Sequence, residues 1–316
     1  MILSVSRRTD IPAFYFEWFL NRMREGYLYV RNPMNPKQVS RVELSPGAID
    51  CIVFWTKNPA PAMQRLSELA AYTYYFQYTL NPYGKDIEPN LPDIQSRLKS
   101  FESLSGMIGQ ERVVWRYDPI LMNDRITVEW HKEQFKKLAH ALNGMTDTVV
   151  ISVLDDYKKI RNQMRTVNNR AMVDDELKGI MEFFRDTATN NGMKIRSCAE
   201  DMDLSRYGIP PGKCIDDGLI GKLLNCEMDS KKDKNQRDVC GCIESVEVGV
   251  YNTCRHGCRY CYANYSSDIV AANCLKHDPQ SPFLIGQTQY DDKVTVRHVK
   301  SQCRPKCVNL SFFDIP

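Results

Sequence analysis

The sequence lacks the features that would place a protein in a membrane or mark it for secretion. No apolar run approaches the ~18 residues that a membrane-spanning helix needs. The first ten residues carry no basic stretch followed by an apolar one, so no secretory signal is expected. We therefore expect a cytoplasmic protein without a membrane partner.

An excess of positive charge is also missing. Lysine and arginine number 42 against 39 aspartates and glutamates, and no dense basic patch stands out. The most basic run, KKDKNQR at Lys231–Arg237, predicts a solvated loop, with contact to an anionic partner as the alternative. The small net charge does not indicate a nucleic-acid partner, and it does not exclude one.

Cysteine is nearly absent from the first 190 residues, where Cys51 stands alone. The other eleven of the twelve cysteines lie between Cys198 and Cys307. Because cytoplasmic thiols stay reduced, such a number indicates metal binding or catalysis before disulfides. The later part of the chain is where such sites are expected.

A dinucleotide-binding fingerprint is missing too, since no G-x-G-x-x-G follows the first apolar run. What the first 200 residues contain is an alternation of short apolar runs and amphipathic stretches, which predicts an α/β protein with a parallel sheet. Strands that read apolar on both faces favour a parallel (β/α) barrel of the TIM type, closed or nearly closed. A doubly wound open sheet is the alternative.

Seven strands and six helices are expected. The strands are Ile2–Ser6, Cys51–Thr56, Tyr74–Thr79, Arg112–Tyr117, Thr148–Val153, Lys194–Ser197 and Val246–Tyr251. The helices are Phe14–Gly26, Pro59–Tyr72, Asp93–Gly109, Val128–Gly144, Asp174–Gly192 and Cys261–Lys276. The pattern predicts three parts: a (β/α)6 barrel portion at 1–200, a cysteine-rich segment with the last barrel strand and a cysteine loop at 201–276, and a tail at 277–316 that packs on the barrel.

The cysteine loop is the most informative motif. YNTCRHGCRYCYAN places Cys254, Cys258 and Cys261 in a C-x3-C-x2-C pattern directly after the seventh expected strand, and so at the barrel mouth. A structural zinc normally takes four ligands, and His256 would complete the set only through a sharp fold of the loop. Three cysteines on a [4Fe–4S] cluster leave one iron open to a substrate. Zinc and an inert cluster remain as alternatives.

The run CRHGCRYC resembles the signature of radical S-adenosylmethionine (radical SAM) enzymes. This resemblance implies that Cys254, Cys258 and Cys261 hold a [4Fe–4S] cluster, with Tyr260 beside the cofactor. It implies that S-adenosylmethionine (SAM) binds the open iron and is cleaved to a 5′-deoxyadenosyl radical. It also implies a full or partial parallel α/β barrel. The continuation CRYCYAN is similar to spore photoproduct lyase, over too short a stretch to transfer a substrate.

The motif stands after the seventh strand, whereas in the radical SAM superfamily it follows the first. Strand order in a barrel is a ring, so pairing of Val246–Tyr251 with Ile2–Ser6 would make the chain a circular permutation. Over nearly its full length the chain also resembles the family called domain of unknown function 1848, through SRRTDIPAF, FWTKNP, RYDPI, KDKNQR and CGC. That family implies no settled substrate.

Eight further cysteines follow residue 190. Four lie near strand ends or linking loops and are expected to hold a second [4Fe–4S] cluster, with a structural zinc or independent thiols as alternatives: Cys198, Cys214, Cys240 and Cys242. The other four are read first as independent thiols: Cys226, Cys274, Cys303 and Cys307. The last two, in CRPKC, would otherwise form a third site or a redox pair.

Polar residues that follow the expected strands would face the barrel mouth. Arginine suits the SAM carboxylate, and acidic groups suit its ribose hydroxyls. The candidates for catalysis are Arg7, Asp10, Arg116, Asp118 and Glu200, and those for cofactor binding are Arg7, Arg8, Lys57, Asn58 and Tyr260. The alternative is a ring of mutual ion pairs. His131 and His140 fall on opposite faces of one helix and are expected to pack or to lie on the surface.

Together these observations predict a radical SAM enzyme that abstracts hydrogen from an unidentified substrate. A small electron donor such as flavodoxin or ferredoxin is the expected partner. Two rivals remain: a non-catalytic iron–sulfur or zinc protein with a C-terminal binding module, and a barrel hydrolase that uses mouth carboxylates and a metal.

Overall fold

The computed structural model describes residues 1–155, 160–298 and 300–305. Its centre is a parallel sheet of seven strands in the order β10-β1-β4-β5-β6-β7-β8. The described strands are β1 Ile2–Val5, β2 Tyr27–Arg31, β3 Gln38–Glu43, β4 Cys51–Thr56, β5 Tyr74–Thr79, β6 Val113–Ile120, β7 Thr148–Val153, β8 Lys194–Ser197, β9 Cys226–Met228, β10 Val246–Glu247, β11 Lys293–Val296 and β12 Cys303–Pro305.

Helices connect the strands of this sheet. The described α-helices are α1 Ile11–Phe14, α2 Phe16–Glu25, α3 Ala60–Met63, α4 Ile94–Ile108, α5 Val128–Ala141, α6 Arg161–Met164, α7 Asp174–Asn190, α8 Asp217–Leu224 and α9 Ser267–Cys274. Short 3-10 turns cover Leu66–Leu69, Gln110–Arg112 and Leu204–Tyr207. No helix within the described residues is both long enough and apolar enough to cross a membrane.

Strand β1 lies inside the sheet because strands from distant parts of the chain flank it. Leu3 stands opposite Ile52 of β4 on one side and Val246 of β10 on the other. The expected pairing of the seventh strand with the first is therefore confirmed. In the described residues β8 and β10 are the outer strands and are not paired with each other.

One face of the sheet packs against the helices. Alternate residues of the central strands, such as Phe54, Phe76 and Trp115, point into this apolar layer and are fully buried. Within it the rings of Phe135 on α5 and Phe184 on α7 stack with centroids 3.8 Å apart. Aromatic burial of this size makes the layer the main source of stability.

The other face of the sheet is covered by the segment that joins β8 to β10. Val53, Tyr75 and Val114 lie under Ile215 and Ile220 of that segment. The Tyr75 hydroxyl and the Gln77 amide donate to the carbonyl of Cys214, at 2.6 and 2.8 Å. The cysteine-rich segment is thus fixed to the face of the sheet opposite the helices.

Five of the expected central strands have the predicted bounds or differ by one residue. The strand expected at Arg112–Tyr117 extends instead to Ile120, and the seventh stops at Glu247. The helix expected at Cys261–Lys276 begins only at Ser267, because Ser266 caps it and the preceding residues form turns of the cysteine loop. The small sheet of β2, β3 and β11 was not predicted, since its strands lie outside the parallel core.

The reading of Cys226 and Cys303 as independent thiols was wrong. The two residues form a disulfide where β9 and β12 pair in antiparallel fashion. Their separation of 77 residues leaves no local signal of the pairing. Cys307, the other half of the CRPKC run, lies outside the described residues.

Candidate active site

A cavity of about 450 Å³ opens at the carboxyl ends of the central strands. Its walls come from the ends of β1, β4, β6 and β7, from the β8–β10 segment and from the cysteine loop. All seven cysteines of the two sets predicted above line it: Cys254, Cys258, Cys261, Cys198, Cys214, Cys240 and Cys242. The sequence placed these two sets more than ten residues apart, and the fold brings them to one space.

The cysteine loop, residues 251–265, is held closed by its own backbone. Asn252 donates from its amide to the carbonyl of Ala263 at 2.8 Å, and the Asn264 side chain donates to the carbonyl of Cys254 at 2.7 Å. Gly257 has a φ of +71°, which other residues rarely adopt. The loop therefore presents its three cysteines from one compact turn.

Contacts with neighbouring elements fix the loop on the sheet. The Arg259 amide donates to the carbonyl of Ile87 at 3.0 Å, and the Asn90 side chain donates to the carbonyl of Arg255 at 2.9 Å. On the other side, the Tyr15 hydroxyl donates to the carbonyl of Thr253 at 2.6 Å. The loop is thus anchored to the chain after β5 and to the junction between α1 and α2.

Burial disfavours the thiolate form of the three cysteines of the loop. Burial raises the pKa of Cys254 to about 12 and also raises the pKa values of Cys258 and Cys261. The ammonium of Lys57 acts in the opposite direction on Cys258 and Cys261. A metal cation that displaced these protons would supply the charge that stabilises the thiolates.

Tyr260, the aromatic residue of the motif, is the centre of a buried charged network. Its hydroxyl donates to a carboxylate oxygen of Glu88 and accepts from Lys57 Nζ at 2.7 Å and from Asn81 Nδ2 at 3.2 Å. Arg97 Nη1 donates to the second carboxylate oxygen of Glu88 at 3.3 Å. Although burial acts to raise it, Lys57 and Arg97 hold the pKa of Glu88 below its ordinary value. Two cations thus keep this buried carboxylate charged.

Asp10 joins β1, β4 and the cysteine loop. One carboxylate oxygen accepts from the Lys57 amide at 2.7 Å, from the Thr56 hydroxyl at 3.1 Å and from His256 Nε2 at 2.8 Å. The other accepts from the Ala13 amide and caps α1. His256 Nδ1 is buried at the cavity and has no hydrogen-bond partner within the described residues. It is a polar group that a bound molecule would satisfy.

Arginine side chains line the cavity beside both cysteine sets. Arg7 lies over the ring of Trp55, 5.3 Å from its centroid, and Arg8 lies over Tyr251 at 4.7 Å. Arg116 forms a salt bridge with Asp118. Although burial acts to raise it, Arg116 and the Ser152 hydroxyl hold the pKa of Asp118 below its ordinary value. Part of the predicted ion-pair ring is therefore present.

The second cysteine set forms a chain of thiols. Cys198 Sγ lies 3.1 Å from Cys214 Sγ, and Cys242 Sγ accepts from the Cys214 amide at 3.2 Å. A hydrogen bond with Cys242 lowers the pKa of Cys240 to about 7. Within the described residues, no three histidine, cysteine, aspartate or glutamate side chains stand close enough together to hold one metal ion.

The predicted residues divide by position. Those that line the cavity, besides the cysteines, are Arg7, Arg8, Asp10, Lys57, Arg116, Asp118 and Tyr260. Asn58 and Glu200 do not line it. Glu200 instead accepts from the Val153 amide at 2.8 Å, and burial raises its pKa to about 8.

Sequence reasoning missed two functional candidates. Glu88 follows no strand directly, and His256 was considered only as a metal ligand. The run Lys231–Arg237 is an exposed loop for the most part, as expected, and it also contributes Gln236 and Arg237 to the cavity wall, where Arg237 pairs with Asp155 at 2.7 Å. His131 is buried and His140 is exposed, as predicted.

Comparison with known proteins gives one match. No curated protein and no solved structure matches the chain. The model of one family matches residues 2–263, a range that contains the parallel sheet, the whole C-x3-C-x2-C motif and every residue that lines the cavity except Asn264. The chain therefore belongs to the family described as domain of unknown function (DUF1848).

Proposed function

We propose that this protein is a radical SAM enzyme in which Cys254, Cys258 and Cys261 hold a [4Fe–4S] cluster. The observation that carries the proposal is the position of the C-x3-C-x2-C loop. It follows a strand of a parallel sheet, and its three thiols line one cavity at the carboxyl ends of the strands. Those ends are where parallel α/β proteins bind their ligands. When bound, the cluster would supply the electron that cleaves SAM to a 5′-deoxyadenosyl radical, which abstracts hydrogen from the substrate.

We also propose that the sheet is a permuted form of the radical SAM barrel. The strand before the loop, β10, pairs with β1, which gives it the place next to β1 that a ring of strands requires. The segment between β8 and β10 packs on the face of the sheet opposite the helices, and its Pro211 bridges to Ser197 of β8. These two observations support a curved, barrel-like sheet whose concave side is occupied by the segment between β8 and β10.

The residues of the cavity fit the binding of SAM. Arg7 and Arg8 offer guanidinium groups at the end of β1, and a guanidinium pairs well with a carboxylate. Asp118 has a depressed pKa and is an acceptor for hydroxyl groups. His256 Nδ1 adds a buried polar atom without a partner among the described residues.

Asp10 and Lys57 act mainly by positioning the loop. Both oxygens of the Asp10 carboxylate are occupied by protein donors, so we assign it to holding His256 rather than to proton transfer. Lys57 is held between Glu88 and Tyr260, and its charge favours anionic sulfur at Cys258. A small electron donor such as flavodoxin or ferredoxin would supply the reducing electron.

The test is anaerobic reconstitution with iron and sulfide, followed by dithionite and SAM. We expect 5′-deoxyadenosine from the wild-type protein and none from Cys258→Ala. Cys51→Ala is the matched control, because Cys51 is a buried thiol of β4 outside the cavity. It should retain the activity.

The two rivals make different predictions in the same experiment. Zinc in place of iron, with no 5′-deoxyadenosine, would favour the non-catalytic metal protein. An activity that persisted in Cys258→Ala would favour a hydrolase built on the mouth carboxylates. Either result would overturn the proposal.

A further inference from the structure

We infer that Cys198, Cys214, Cys240 and Cys242 form a second metal site, which holds its own iron–sulfur cluster in the same cavity as the cysteine loop. The four residues come from the end of β8, the segment after Pro211 and the run before β10. Only the choice of iron–sulfur over another metal rests on the proposed function. The existence of the site rests on the geometry of the four thiols.

Four thiols from three separate segments are gathered in one place. Cys198 and Cys214 are in contact at 3.1 Å, Cys242 contacts Cys214, and Cys240 contacts Cys242. Buried cysteines usually behave as small apolar residues and need no second sulfur beside them. No three of the described side chains surround a single ion, so these four thiols suit a cluster, in which each cysteine binds its own iron.

Hydrogen-bond donors surround the sulfurs of this set. The backbone amides of Cys214 and Ile215 both donate to Cys242 Sγ, at 3.2 and 3.4 Å. The buried guanidinium of Arg116 donates from Nη1 to Cys214 Sγ at 2.8 Å. Hydrogen bonds of this kind are typical around the cysteine sulfurs of iron–sulfur clusters, where they orient the ligands and tune the reduction potential.

The arrangement of the four sulfurs suits a cluster better than a single ion. A structural zinc closes four thiolates around one ion. Here the sulfurs form a chain, and all four residues line a cavity of about 450 Å³. In a [4Fe–4S] cluster each cysteine binds its own iron, so the ligands need not surround one point. Because the four sulfurs lie along the wall of a cavity and do not surround one point, their arrangement favours a cluster.

Arg7 connects the two sites. Its carbonyl accepts from the Tyr262 hydroxyl of the cysteine loop at 3.2 Å, and its side chain lines the cavity together with Cys214 and Cys242. A substrate in the cavity would thus be in reach of both metal sites. This places the second cluster beside the reacting molecule rather than at the protein surface.

The experiment compares three proteins after anaerobic reconstitution: the wild type, a variant with Cys254, Cys258 and Cys261 changed to alanine, and a variant with the other four changed. Iron and sulfide per chain are measured, and the dithionite-reduced proteins are examined by EPR. We expect about eight irons in the wild type and about four in each variant. Circular dichroism checks that each variant is folded.

The outcomes distinguish this inference from the proposed function. If the first variant keeps about four irons and the second keeps none, the four-thiol site stands and the radical SAM site falls. If the first variant binds no iron, or binds zinc, the inference is overturned while the radical SAM site can still stand. Should the four-alanine variant fail to fold, Cys254/Cys258/Cys261→Ala decides alone. Adding Arg116→Lys to it should then shift the reduction potential of the remaining signal, whereas Arg125→Lys, an exposed control, should not.

Discussion

Lys57 donates a hydrogen bond from Nζ to the hydroxyl oxygen of Tyr260 at 2.7 Å, and so ties the end of β4 to the cysteine loop. The bond belongs to a network that also contains the buried Glu88 carboxylate. The order of the loop therefore depends on one phenol oxygen that three polar groups share.

Removing that oxygen should destabilise the protein. In Tyr260→Phe, Lys57, Glu88 and Asn81 each lose a buried hydrogen bond, which we expect to lower the free energy of unfolding by about 1–3 kcal/mol. Urea denaturation of the metal-free protein measures this change in the free energy of unfolding. Tyr290→Phe, at a fully exposed tyrosine, is the control and should change little. Equal effects of the two substitutions would contradict the network.

His131 should make stability depend on pH between about 4 and 6.5. It is buried on α5, accepts from the Tyr117 hydroxyl at Nδ1 and donates from Nε2 to the Leu121 carbonyl. Burial lowers its pKa from 6.5 to about 4. Between these pH values His131 is protonated in the unfolded chain but neutral in the folded protein. Its contribution to the free energy of unfolding is therefore fully present above pH 6.5 and is lost as the pH falls towards 4.

The size of this effect is up to about 3 kcal/mol. Urea denaturation at several pH values should show that His131→Gln flattens the dependence. His140→Gln, on the exposed face of the same helix, should leave the dependence as it is in the wild type. A slope that His131→Gln did not change would assign the acid sensitivity to other groups.

Gly257 should tolerate no side chain. Its φ of +71° disfavours alanine, and an added Cβ would lie 3.2 Å from Pro89 Cγ and from Asn90 Nδ2. We expect Gly257→Ala to lower the free energy of unfolding by about 1–2 kcal/mol and to reduce the iron retained after reconstitution. Gly47→Ala, where an added Cβ meets no atom within 4 Å, is the control. Normal iron retention in Gly257→Ala would show that the loop adapts.

The disulfide between Cys226 and Cys303 should be detectable as a cross-link. Peptides that contain the two residues should stay linked until a reductant is added, and Cys303→Ser should abolish the link. Because the bond closes a loop of 77 residues, a reductant should lower the stability of the metal-free wild type by up to about 4 kcal/mol. Cys303→Ser should not respond. Linkage of Cys226 to another cysteine would contradict the pairing.

Local patterns in the sequence were enough to predict the parallel core. Cys51–Thr56, Tyr74–Thr79 and Thr148–Val153 have the predicted bounds, because apolar runs of this kind are buried on both faces of a parallel sheet. The cysteine loop could also be recognised from a local pattern, because its three cysteines lie within eight residues. The position of the loop next to β1 followed from the predicted pairing of the seventh strand with the first.

What the sequence did not reveal depends on contacts between distant residues. Glu88 meets Tyr260 at a separation of 172 residues, and His256 meets Asp10 at 246. No periodicity reports such pairs. The same holds for Arg116, whose bond to Cys214 spans 98 residues. Asn58 and Glu200 were predicted from their nearness to strand ends, and the local course of the backbone directs them elsewhere.

The place of β1 between β4 and β10 has a consequence for how the protein is made. Leu3 leaves the ribosome long before Val246, which belongs to one of its two neighbouring strands. A pairing over such a distance forms slowly, because a very long loop must close first. The walls of the cavity are therefore incomplete until β10 and the cysteine loop have emerged. Under the proposed function, iron and sulfide would be inserted only after that point.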